Sequence, residues 1–112
     1  MKINLLSKIL NLKGEPILTK EDGKEVDLIL KYVCTEALMN DIPKGQNQPL
    51  ESGREKMKRY KIAQKIEDND EVDLTVEEVK IIKDQVGQLY GTKVACPAII
   101  LLDPAEEDGK NE

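Results

Sequence analysis

The run from Val72 to Gly91 constrains this chain more than any other stretch, because it holds a helix start, an apolar stripe and a glycine stop. Thr75 stands where its hydroxyl can accept from the first-turn amides, and Glu78 can reach back to the Thr75 N–H. Val79, Ile82, Val86 and Leu89 follow at steps of three and four, which places them on one helical face. The stretch predicts a helix with one buried side. It carries no reactive constellation, so its message is structural.

The rest of the chain must supply what that helix packs against. With 112 residues, of which 39% are hydrophobic and 35% charged, the expectation is one domain with a modest core. Residues 1–103 are read as a single compact domain, and 104–112 as a disordered acidic tail. Three tyrosines with no Phe or Trp mean that the core is built from Leu, Ile, Val, Ala and Met.

A net charge of −5 opposes general binding to nucleic acid or anionic membranes. No stretch approaches the roughly eighteen apolar residues of a membrane span. Asn4, Ser7, Lys8 and Asn11 interrupt the apolar N-terminus and no small-x-small cleavage site follows, so it is read as part of the fold, in a cytoplasmic protein. Cys34 and Cys96 are the two cysteines, and histidine is absent. Two reduced, buried thiols are expected, without metal or other cofactor, because two thiols alone do not complete a Cys/His zinc site.

Turn chemistry divides the remainder. Lys8–Lys13, Gly14-Glu-Pro16 and Ile17–Thr19 read as a hairpin, and Glu21-Asp-Gly23 as a second turn. An amphipathic helix through Leu5, Leu6, Ile9 and Leu10 competes with that reading. A helix capped by Asp27 would bury Leu30, Val33, Cys34, Ala37 and Leu38 and stop before Ile42-Pro43. Residues 44–52 read as a polar, flexible loop. A second helix is expected from Gly53 to Ile66, with Met57, Tyr60, Ala63 and Ile66 facing inward, and Val72-Asp-Leu74 as a short extended piece pairing with the N-terminal hairpin. Gly87 invites close approach of the C-terminal apolar segment. That segment, 94–102, reads as a helix with Pro97 in its first turn or as a buried strand.

Three constellations carry possible chemistry. From Arg54 to Lys65 the second helix holds six cations (Arg54, Lys56, Lys58, Arg59, Lys61, Lys65) against Glu55. In an acidic chain that asymmetry makes Arg54, Lys58, Arg59, Lys61 and Lys65 the candidate partner-binding residues. The competing account is a solvated helix face, since the charges spread over most positions outside the apolar stripe. The acidic run Glu67–Asp73 fails as a calcium loop, having Val72 where an oxygen ligand is needed and Asp73 where glycine is needed. Catalysis lacks its usual base in the absence of histidine, and the scattered glycines form no phosphate cradle.

The order of motifs resembles a group of small proteins of tailed bacteriophages and prophages. The matching stretches are Leu12-Lys-Gly-Glu-Pro-Ile17, Ala37-Leu38, Glu55-Lys-Met-Lys-Arg-Tyr-Lys-Ile-Ala-Gln-Lys-Ile66, Asp73-Leu-Thr-Val-Glu-Glu-Val-Lys-Ile-Ile-Lys83 and Tyr90-Gly91. Together they span about residues 10–102. The segment Lys93-Val-Ala-Cys-Pro-Ala-Ile99 departs from the group's pattern, which has a Val-Gly there, and the charged tail is additional. The resemblance implies a phage context and no functional residues.

The expected fold is α+β, mainly α, with an N-terminal β-hairpin packed on three to four helices. The expected function is that of a non-enzymatic phage or prophage accessory protein that binds a phage structural or host protein, in virion assembly for example. An acidic inhibitor of a host factor, of the DNA-mimic or anti-defence type, is the first alternative. A nucleic-acid-binding regulator using the 54–65 helix is the second. Self-association is left open.

Overall fold

The computed structural model describes residues 2–41 and 51–104. The expected 44–52 loop, apart from Glu51 and Ser52, lies outside the described residues, as does the tail beyond Pro104. Along the chain the elements are β1 (Lys2–Asn4), β2 (Leu18–Glu21), β3 (Lys24–Asp27), α1 (Leu30–Met39), α2 (Gly53–Glu67), β4 (Glu71–Asp73), α3 (Val76–Leu89) and α4 (Thr92–Leu102). The architecture is α+β and mainly α: four helices with two small antiparallel sheets, β1–β4 and β2–β3. Helix α1 is central. It packs against α2 and α3, and α4 lies on α3.

The N-terminus is not helical: β1 runs into a turn at Leu5-Leu6, and carbonyls in and just after that turn serve α1. Ile29 caps that helix without a side-chain bond. Instead, the Leu30 amide donates to Ser7 O and the Lys31 amide to Leu5 O, both at 2.8 Å. Backbone thus satisfies first-turn donors that a capping side chain would otherwise take. This corrects the assignment of Asp27 as the cap. Asp27 ends β3 opposite Leu18, with its carboxylate 3.0 Å from Lys8 Nζ.

Two turns shape the segment before α1. The Asn11 side chain accepts from the Lys13 and Glu15 amides at 2.9 and 3.0 Å, and Gly14 takes φ +81°. The strands on either side of this turn meet at an isolated Leu10–Pro16 bridge. The regular ladder lies at the second turn, where Asp22 and Gly23 both have positive φ, 52° and 80°. That pair is the two-residue hairpin turn an Asp-Gly dipeptide favours. In the other sheet β1 pairs with β4, Ile3 opposite Val72, and both are buried.

Helix α3 forms as its sequence predicts. Thr75 Oγ1 accepts from the Glu78 amide at 3.1 Å and Glu78 Oε1 from the Thr75 amide at 2.9 Å. Val79, Ile82 and Val86 are buried, while Leu89, the last helical residue, is partly exposed. In α2 the inward face differs from expectation: Arg59, Ile62, Ala63 and Ile66 are buried, while Met57 and Tyr60 are 53% and 46% exposed. A step of three residues falls about 60° short of a full turn, so positions 57, 60, 63 and 66 drift around the helix. Only the last two arrive at the core.

The C-terminal segment is a helix, and it begins earlier than Pro97 suggested. The Val94 and Ala95 amides both donate to Gly91 O, at 3.1 and 2.9 Å, so α4 starts at Thr92 with Pro97 sixth along it. Pro97 forfeits a bond to the carbonyl four residues back, on the exposed Lys93, where water can serve. Lys83 and Asp103, 3.0 Å apart, tie α3 to the end of α4. Of the two thiols, Cys34 is buried as expected and Cys96 is exposed, a correction that follows from its place on the outer side of α4.

A Cβ on Gly87 would meet only Ile99 Cδ1 at 4.0 Å, so the contact between α3 and α4 does not demand glycine. Gly87→Ala should stabilise the protein by up to about 1 kcal/mol, read as a higher denaturation midpoint. Burial pushes the Cys34 thiol up to about 12. It also pushes the Tyr90 phenol up to about 12, with smaller contributions from Glu36, Tyr32 and Cys34. Both groups hold their protons more tightly folded than unfolded. Their contribution is complete below the unfolded values and is lost as pH rises toward the folded ones. Urea midpoints should fall between about pH 9 and pH 11, and less steeply in a Cys34→Ala, Tyr90→Phe variant.

Candidate partner-binding surface

Helix α2 places the five candidate cations in two different environments. Arg59 is turned inward and is 5% exposed. Its Nη1 donates to Leu38 O at 2.6 Å and to Asn40 O at 3.1 Å, at the end of α1. Nη2 donates to Asp41 Oδ1 at 2.9 Å and to Glu51 Oε1, and Nε to Glu51 Oε2 at 3.0 Å. All five guanidinium donors are therefore used. Gln85 on α3 adds a bond to Ala37 O at 3.1 Å. The Asn40 side chain bonds Glu36 O at 2.5 Å.

The end of α1 is thus held by side chains from outside it. That helix has no basic residue in its last turn and no left-handed cap residue. Arg59 brings the positive charge that a helix C-terminus favours. The bond to Arg59, and less strongly Lys56, holds the Asp41 carboxyl below its usual range. Arg59 is accordingly withdrawn from any solvent-facing cationic patch.

The other four candidates are exposed or half-buried on one flank. Arg54, Lys58, Lys61 and Lys65 recur at steps of four, three and four and form a stripe along α2. The cations are therefore more ordered than the sequence suggested, because Arg59 and Lys56 leave the stripe. Helix α3 answers part of it: Lys58 Nζ lies 3.6 Å from Glu77 and Lys65 Nζ 3.4 Å from Glu78. Among the described residues Arg54 and Lys61 form no ion pair. Between the two helices runs a cleft of about 280 Å³ where Glu55, Lys58 and Arg59 face Ile81, Asp84 and Gln88. Its lining is of mixed charge.

Two surfaces were not assigned to binding by the sequence. The first lies beside the stripe, where Met57 and Tyr60 join Met39 and Leu38 around a shallow groove of about 510 Å³ between α1 and α2. Their spacing had placed Met57 and Tyr60 in the core. The second is the outer face of the N-terminal hairpin. Ile9 and Ile17 point toward the core, so alternation turns Leu10, Pro16 and Leu18 outward. Leu12 is fully exposed on the turn that the Asn11 side chain locks. The signal in the sequence was the alternation of leucines around Gly14-Glu-Pro16.

Among the described residues no helix is long and apolar enough to cross a membrane, and no three or more His, Cys, Asp or Glu residues are gathered as a metal site would need. Comparison with protein-family models, curated proteins and solved structures returns no match.

Proposed function

We propose that this is a non-enzymatic phage or prophage accessory protein that acts by binding another protein, with virion assembly as its foremost setting and the host bacterial cytoplasm as its location. The observation that carries the reading is the hairpin's outer face. Leu10, Pro16 and Leu18 are presented to solvent together, with Leu12 fully exposed on the neighbouring turn. The backbone of that turn is fixed by two bonds that the Asn11 side chain accepts from the Lys13 and Glu15 amides, which sets the place from which Leu12 projects. A turn whose backbone is already fixed has less ordering to do when a partner covers the side chains it carries. Contiguous exposed apolar surface is also the usual mark of an interaction site.

The non-enzymatic part draws on the chemistry of the chain. Histidine is absent, and the Cys34 thiol, pushed up to about 12 by burial, stays protonated at neutral pH. The phage context draws on the order of motifs from Leu12 to Gly91.

Co-expression with the products of neighbouring genes tests the proposal, with a photo-crosslinking amino acid at position 12 and, as a control, at position 24. A specific adduct from position 12, absent from 24 and lost on Leu18→Ser, is expected. Equal labelling from both positions, with the variants folded, would contradict it. So would turnover of a small molecule abolished by one side-chain replacement.

A further inference from the structure

We infer that the outward face of α2 is a second docking site, distinct from the hairpin face, and that it takes an acidic amphipathic helix. Met57 and Tyr60 form an exposed apolar strip three residues apart on one side of the helix. The groove beside them, about 510 Å³ and shared with Leu38 and Met39 of α1, runs between two helices that lie side by side. Such a furrow suits the apolar ridge of a third helix. Methionine adapts its shape to a partner, and tyrosine supplies rigid contact area with a polar tip.

Charge selects the partner. Arg54 and Lys61 lie one turn either side of Met57 on one flank of the strip, and Lys56 lies one turn before Tyr60 on the other. All three are exposed, and none forms an ion pair among the described residues. The nearby acids are engaged or displaced. Asp41 lines the groove but is bound to Arg59 and lies in the field of Lys56; Glu51 is bound to Arg59, Glu55 faces the cleft toward α3, and Glu67 is the last residue of α2. An apolar strip with cations on both sides is therefore set in a chain of net charge −5.

Its complement is a helix with an apolar ridge flanked by carboxylates. Nucleic acid fits less well. Two of the four stripe cations are already paired with α3 carboxylates, and the middle of the face offers hydrocarbon where a phosphate backbone needs donors.

The test uses the full chain and three probes: a synthetic helical peptide of leucine and glutamate in amphipathic spacing, the same peptide with lysine for glutamate, and a single-stranded oligonucleotide. Binding is followed by amide chemical shifts. The acidic peptide should bind at least about tenfold more tightly than the basic one, weaken with added salt, and shift α2 amides near Met57 and Tyr60 while leaving the hairpin unmoved. Arg54→Glu with Lys61→Glu should abolish that preference without lowering the melting temperature, and Met57→Ser should weaken binding at unchanged charge. Equal binding of the two peptides, tighter binding of the oligonucleotide, or shifts confined to Leu10–Leu18 would overturn the inference. Because the crosslinking result at position 12 depends only on the hairpin, the two proposals stand or fall separately.

Discussion

Arg59 uses every N–H of its guanidinium at the place where α1 ends. Two donors close carbonyls of Leu38 and Asn40, and three hold carboxylates of Asp41 and Glu51. Asp41 follows α1 and Glu51 precedes α2, so one side chain ties the end of α1 to the start of α2. It also sets the pairing of α1 with α2. A planar fork with five fixed donors suits this task, which a lysine could not perform. A buried charge is costly unless it is both paired and hydrogen-bonded, and here both conditions are met. Gln85 makes the matching contact from α3, so the same helix end organises the neighbours on both sides.

The far end of α1 uses backbone in the same way. Carbonyls of Leu5 and Ser7 receive its first amides, which holds the turn after β1 against the start of α1, while β1 itself pairs with β4. Sheets and helices are therefore coupled through the two ends of one helix of ten residues. The aliphatic cluster fills the space between, and the expected Leu30, Val33, Cys34, Ala37 and Leu38 are all within it.

Legibility in the sequence followed how local the governing interaction was. The capping box of α3 and the Asp-Gly turn are decided within four residues, and both were readable. The start of α1 was misassigned because its caps come from more than twenty residues earlier in the chain. The register of α2 was hidden by a run of steps of three, and by an arginine that takes a core position only because α1 presents carbonyls to it. For the same reason the binding surface was partly misread. The basic character of α2 was evident, but which cation turns inward depended on a partner 21 residues away in sequence. Met57 and Tyr60 were counted as core by their spacing, although the drift of that spacing around the helix leaves them outside.

The account rests on Arg59 acting through its partners rather than merely filling space, and a double-mutant cycle between Arg59 and Glu51 measures that directly. With Arg59→Met, Glu51→Gln and the combined variant, denaturation should show a coupling of more than about 2 kcal/mol, because Arg59→Met leaves the Glu51 carboxylate without its guanidinium and Glu51→Gln leaves the buried Arg59 with one carboxylate partner in place of two. Additive effects, within about 0.5 kcal/mol, would contradict the central role assigned to this contact.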